Sequence, residues 1–207
     1  MSVSTVHGRV LDRPGSENGI KLVAVQNPTG ATGVDFFFND LSSEYSFLSL
    51  KWRGMAFSTL TVADIIFARF STGGTTFDAA GHYQFNSDTW YTTSTIGRIV
   101  GLGAAVSFSL DNTSTKIFQS ATSALQKGIN GFFDFDRGGA SEPAGARWEI
   151  VAQGTSTQNI ITFKGVGNWF GPGEVKGIQI TNGVSTALIE GYFELWAYRA
   201  RTPGVQW

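Results

Sequence analysis

The feature that most constrains this chain is a two-residue period, repeated in short runs that close on Gly, Asn, Asp or Pro. The last run, ALIEGYFELWAYRA, sets Phe193, Leu195 and Ala197 against Tyr192, Glu194, Trp196 and Tyr198. EYSFLSLKW opposes Ser46, Leu48, Leu50 and Trp52 to Tyr45, Phe47, Ser49 and Lys51, and TVADIIFARF puts Ile66, Ala68 and Phe70 on one face. IKLVAVQN alternates Ile20, Leu22 and Ala24 with Lys21, Val23 and Val25. EVKGIQIT aligns Ile178 and Ile180, with Lys176 in line nearer the start. Successive side chains of a strand point to opposite faces, so such a period predicts strands. GVDFFFND and the runs at 104–110, 130–136, 146–154 and 159–167 have the same style. Only SATSALQKG (120–128) reads as a short helix.

About ten strands spaced roughly 8–15 residues apart, without helices between them, predict an all-β fold. The expected architecture is an antiparallel β-sandwich, jelly-roll-like, rather than a set of βαβ units. Composition points the same way: 26 Gly and 17 Phe accompany a charged fraction of only 15%. Aromatic and β-branched residues suit a pleated surface, and glycine suits its turns. Residues 1–19, which include DRPGSENG, read as a polar N-terminal arm containing a turn; residues 20–200 read as a single sandwich domain and 201–207 as a C-terminal tail. No fixed-period repeat suggests a propeller or solenoid.

Charge and residue inventory narrow the function. A net charge of −1 supplies no basic footprint for nucleic acid. No stretch approaches the roughly 18 apolar residues of a spanning helix, so membrane insertion is not expected. The start of the chain lacks the apolar core of a secretory signal. With no cysteine there is no disulfide, thiol nucleophile or thiolate zinc site.

The loop STGGTT (71–76) poses the question of a phosphate cradle. Such a loop needs a following helix to supply amide donors, and here the aromatic, glycine-punctuated DAAGHYQF follows instead. There is no Walker lysine either, so the reading is a glycine turn closing a strand.

The segment from SEYSFLSLKW to AAGHYQF carries Tyr45, Phe47, Arg69, Ser71, Gly73, Gly74, Phe77, Gly81 and Tyr83 in an order that resembles a recurring domain of tailed-bacteriophage virion proteins. VKGIQI followed by LIEGYFELWAYR resembles the C-terminal half of the same family, and the likeness covers roughly residues 20–200 except 85–130. The resemblance implies a jelly-roll-like, often homotrimeric component of a phage or gene-transfer agent: a tail fibre, tail tip or head spike that meets the host surface or other virion proteins. The expectation is of a virion protein, made in the bacterial host cytoplasm as the absence of cysteine also suits, with no catalysis and no cofactor.

Two other classes stay open at this point, a free lectin-like carbohydrate-binding module and a polysaccharide-degrading enzyme. A glycosidase needs two carboxylates roughly 5–10 Å apart. Asp134 and Asp136 in FFDFDRGG share a face, but Gly138 stands where a third acid would continue the row, and Glu149, Glu190 and Glu194 are scattered. The plainer reading makes them polar positions of an exposed strand, with Asp136 pairing Arg137 or capping the turn. DFDRGG also lacks the further oxygens of a calcium loop, so no metal site is expected. The two histidines, His7 and His82, have no nucleophile elbow to serve and read as turn or interface residues.

The aromatics give the remaining signals. Trp90 and Tyr91 in NSDTWYTTS, and Trp169 and Phe170 in GNWFGPG, sit in polar, loop-like segments. They are candidate contacts for a host glycan or receptor, or else plugs at the sandwich ends. Tyr192, Trp196 and Tyr198 share one face of the final strand while Phe193 and Leu195 occupy the other. Both faces therefore call for burial, which points to an oligomer interface, or to the N-terminal arm, as the second cover. Trp207 reads equally as a docked or a free terminus.

Overall fold

The computed structural model describes residues 19–57, 66–91, 96–110, 128–139, 141–153, 160–182 and 189–199. Nearly all of the expected arm and helix, the C-terminal tail, His7 and Trp207 lie outside these residues. The strands are β1 (Ile20–Gln26), β2 (Thr29–Ala31), β3 (Gly33–Phe37), β4 (Tyr45–Phe57), β5 (Ile66–Ser71), β6 (Tyr83–Tyr91), β7 (Ile96–Ala105), β8 (Phe108–Ser109), β9 (Ile129–Asp136), β10 (Ala144–Gln153), β11 (Ile160–Trp169), β12 (Gly177–Asn182) and β13 (Ile189–Arg199). The fold is an all-β antiparallel sandwich. Among the described residues one sheet has nine strands in the order β1-β13-β4-β9-β10-β11-β6-β7, with β2 also paired to β13, and the other has four in the order β3-β12-β5-β8.

The alternation read from the sequence selects the buried face in most strands. Ile66, Ala68 and Phe70 of β5, Ile178 and Ile180 of β12, and Phe193, Leu195 and Ala197 of β13 are all fully buried. β1 departs from it: its pairing with β13 slips between Leu22 and Ala24, so Val23 and Ala24 both turn inward. An extra residue in one strand of a pair makes such a bulge and resets the phase beyond it.

Phe70 lies at the centre of the core, with its ring 5.0–5.9 Å from those of Phe108, Phe133, Phe135 and Trp169. Each such side chain contributes roughly 1.5–3 kcal/mol by leaving water. Large rings fit between the sheets because glycines face them. Trp52 stands opposite Gly131, Trp148 opposite Gly165, and Phe85 opposite Gly101 in adjacent strands. A Cβ at Gly165 would lie 2.1 Å from the Trp148 ring, and one at Gly101 would lie 2.2 Å from Phe85. The high glycine and aromatic contents are thus two halves of one packing device as well as a supply of turns.

The STGGTT segment is a turn. Ser71 ends β5, its hydroxyl accepts from the Gly73 amide (3.1 Å) and donates to the Gly73 carbonyl (3.0 Å), and Gly73 and Gly74 take φ of 131° and 72°. The Asp78 amide then returns to the Phe70 carbonyl at 2.8 Å.

Candidate functional site on the outer face of the large sheet

The outward positions of the nine-stranded sheet form cross-strand rows fixed by register. One row runs Tyr198, Phe47, Asp136, Gly145, Asn168, Gln84; the next runs Trp196, Ser49, Asp134, Arg147, Val166, Asn86. A third runs Glu194, Lys51, Phe132, Glu149, Lys164, Asp88.

Most polar groups on these rows are committed to one another. Asp134 accepts from Ser49 Oγ at 2.5 Å and from Arg147 Nε and Nη2 at 3.0 and 2.8 Å. Asp136 accepts the amides of Gly138 (2.9 Å) and Gly145 (3.0 Å), so it caps the turn. Arg137 instead turns inward to Glu174 and four backbone carbonyls. Asp134 and Asp136 share a face as the sequence suggested, yet every oxygen of both carboxylates already accepts a hydrogen bond. Lys164 pairs with Glu149 at 3.0 Å.

On β13 the Tyr192 hydroxyl and Trp196 Nε1 both donate to Glu194, at 2.8 and 3.1 Å. Burial favours the protonated form of Glu194, but these two donors, with Arg53 and Lys51 nearby, outweigh it and hold the carboxyl below its ordinary value. The hydrogen bond to Glu194 in turn pushes the Tyr192 hydroxyl up. Tyr192, Trp196 and Tyr198 do share the outward face, and all three are half-buried. The Tyr198 ring packs 5.7 Å from Phe47. Phe47 remains 36% exposed and Ile20, beside Tyr198 on β1, 47% exposed. An apolar strip therefore crosses β1, β13 and β4, bordered by Lys51, Arg53 and Glu194.

The loop-like aromatics divide. NSDTWY is not a loop but the second half of β6, and Trp90 points outward, 37% exposed, with Lys164 Nζ 5.9 Å from its ring centre. Tyr91 pairs with Ile161; its side chain lies outside the described residues. Trp169 is not a surface contact: it ends β11 fully buried, and its Nε1 donates to Asp78 Oδ2 at 2.6 Å. Gly171 lies where a Cβ would meet its ring at 1.9 Å, so the glycines that suggested a loop make room for the indole. Phe170 is 49% exposed.

His82 holds a structural position: its Nδ1 lies 2.8 Å from Asp78 Oδ2. Asp78 also accepts the Ala80 amide, and its carbonyl accepts the Tyr83 hydroxyl. Burial raises the Asp78 pKa, but the bonds from Trp169, Ala80 and His82 together prevail and lower it.

Between β10, β11 and β6 the outer face opens into a shallow groove of about 410 Å³ lined by Gln84, Asn86, Val166 and Asn168, with Gly145, Gly167 and Gly101 among the residues below. None of these polar residues was singled out from the sequence. The available signal was the spacing of Gln84, Asn86 and Asp88, which becomes a polar face only once β6 is known to be a strand.

Among the described residues no three His, Asp or Glu side chains gather as a metal site. Comparison with protein-family models, with curated proteins and with solved structures finds no match. The virion likeness therefore rests on the strand-and-turn pattern of this chain alone.

Proposed function

We propose that the chain is a non-catalytic structural subunit of a phage-like particle, a fibre, spike or tail-tip component. It self-associates as a homotrimer through the β1–β13–β4 strip and meets the host surface or another virion protein with the rest of the molecule. The observation that carries this reading is the strip itself: Ile20, Phe47 and Tyr198 form one apolar surface on the solvent side of a sheet whose other side is already core. A second copy of the chain is the fitting occupant. Lys51 and Arg53 stand beside Glu194, so the border carries both charges and can pair with the borders of neighbouring copies arranged around a shared three-fold axis, and aromatic centres with polar rims mark interfaces. The non-catalytic part is supported by Asp134 and Asp136, whose oxygens are spent on Ser49, Arg147 and the amides of Gly138 and Gly145.

The test is gold-labelled antibody against the purified protein, applied to particles released by the bacterium that carries the gene. Label confined to one structural position on the particles is expected. Unlabelled particles, with the protein left in the cell lysate, would overturn the assignment.

A further inference from the structure

The outer-face groove differs from the rest of the sheet in one respect. Elsewhere on the rows the carboxylates named above pair with a neighbour. The side-chain amides of Gln84, Asn86 and Asn168 have no partner among the described residues, and Asn86 Oδ1 is buried without one. Register brings the three together: Asn168 faces Gln84 and Val166 faces Asn86, while Gly145 continues the Asn168 row and leaves it without a side chain there. That missing side chain forms the hollow. It cannot be filled cheaply, since a Cβ at Gly145 would lie 2.8 Å from Asp136 Oδ2.

We propose that this groove binds a neutral saccharide. A side-chain amide offers both a donor and an acceptor, as each sugar hydroxyl does, so the amides of Gln84 and Asn168, joined by the amide nitrogen of Asn86, whose Oδ1 is covered, match a set of neighbouring hydroxyls. Among the described residues no charged side chain lines the groove, and the charged groups nearest it in the rows are already held, Asp136 by two amides and Arg147 by Asp134, so an acidic or basic ligand finds no free counter-charge among them. Apolar surface is supplied along β11. Val166 is 60% exposed and Phe170 49% exposed, one on each side of Asn168 with the same outward parity. The strand pattern extends to Phe170, whose amide donates to the His82 carbonyl at 2.9 Å. Outward neighbours on a strand lie about 6.6 Å apart, so an apolar sugar face can rest on the Phe170 ring while its edge reaches Asn168 and Gln84. The volume is at the lower end of the roughly 300–1,000 Å³ of small-ligand sites, consistent with one or two sugar rings. Trp90, the exposed indole of the same face, lies about 13 Å further along β6 from Asn86 and stands within reach only of a longer glycan.

This inference does not depend on particle membership or on self-association, because the strip lies on β1–β13–β4 and the groove on β10–β11–β6. The experiment is an array of neutral and acidic glycans, followed by amide-resolved NMR titration with the best neutral binder. Its arms include free monosaccharides and the corresponding surface polysaccharide. Binding of a neutral glycan is expected, with shifts centred on Gln84, Asn86, Val166 and Asn168. Asn168→Ala and Gln84→Ala should each weaken it about fivefold to tenfold, and Phe170→Ala by about tenfold, with unfolding curves unchanged. Lys164→Ala should leave it intact. Binding of acidic glycans alone, binding that depends on Lys164, affinity indifferent to Asn168→Ala, or no glycan bound at all would overturn the proposal.

Discussion

Arg137 is the side chain whose removal should cost this fold most per atom. Its guanidinium is almost wholly buried and reaches two separate segments, 41–45 and 174–175. Nε donates to the Val175 carbonyl (3.3 Å), and Nη1 lies within 3.1–3.3 Å of the carbonyls of Leu41, Ser42 and Tyr45. Nη2 pairs with Glu174 at 3.0 Å. Burial lowers the guanidinium pKa and Glu174 only partly offsets it, so the charge is kept against a desolvation cost by Glu174 and the carbonyls around it. Arg137→Met keeps much of the volume and removes every donor. The carbonyls of Leu41 and Ser42 are near the surface and regain water, whereas those of Val175 and Tyr45 are buried and do not. Two orphaned buried acceptors at about 1–3 kcal/mol each, less the relief of removing a buried charge, give a loss of about 3 kcal/mol. Arg137→Lys, with one charged centre in place of a fork, should recover only part of it. Urea unfolding followed by tryptophan fluorescence reads this as a lower midpoint at unchanged slope. A midpoint loss worth less than about 0.5 kcal/mol for Arg137→Met would refute the reasoning, because it would mean those carbonyls need no protein donor.

Further expectations follow from the same physics. Gly165→Ala drives a methyl into the buried Trp148 ring and should cost about 1–3 kcal/mol in the same unfolding assay, with a red-shifted indole emission. Asp78 has a folded pKa below its ordinary value of 3.8, so its contribution is present above that value and is lost as pH falls through the folded pKa. Acid titration of stability should therefore be shallower below about pH 4 in Asp78→Asn than in the parent. Arg147→Ala removes both donors from Asp134 Oδ2, and that carboxylate is only 9% exposed, so although the Arg147 cation is largely solvated the cost should be about 1–3 kcal/mol and only weakly reduced by salt.

Strands whose inward positions are uniformly apolar were legible from the sequence: β5, β12 and β13 show their buried faces in the alternation of Ile66, Ala68, Phe70, of Ile178, Ile180, and of Phe193, Leu195, Ala197. β6 was hidden because its inward positions after Phe85 are Ser87 and Thr89, buried hydroxyls that give no hydrophobic contrast with Asn86 and Asp88. Trp169 misled for a different reason. Flanking glycines suggest a loop, but here Gly171 lies against the indole, and the partner that fixes the indole, Asp78, is 91 residues away in sequence. The outward aromatics of β13 were visible as a second apolar face. What the sequence did not reveal is that Glu194 satisfies Tyr192 and Trp196 locally, which leaves Tyr198, Phe47 and Ile20 to carry the exposed part. The groove was illegible in principle from local pattern, since it exists only where register sets Gly145, Asn168 and Gln84 side by side.

The most direct test of the central claim is the mass in solution, by light scattering, of the parent protein and of the double variant Phe47→Glu/Tyr198→Glu. Both substitutions lie on the outward face and place carboxylates in the strip without touching the core. A parent species at three times the 22.3 kDa chain mass and a variant at one, with matching unfolding curves, are the expected result. A monomeric parent, or a variant that keeps the parent's mass, would contradict assembly through β1, β13 and β4.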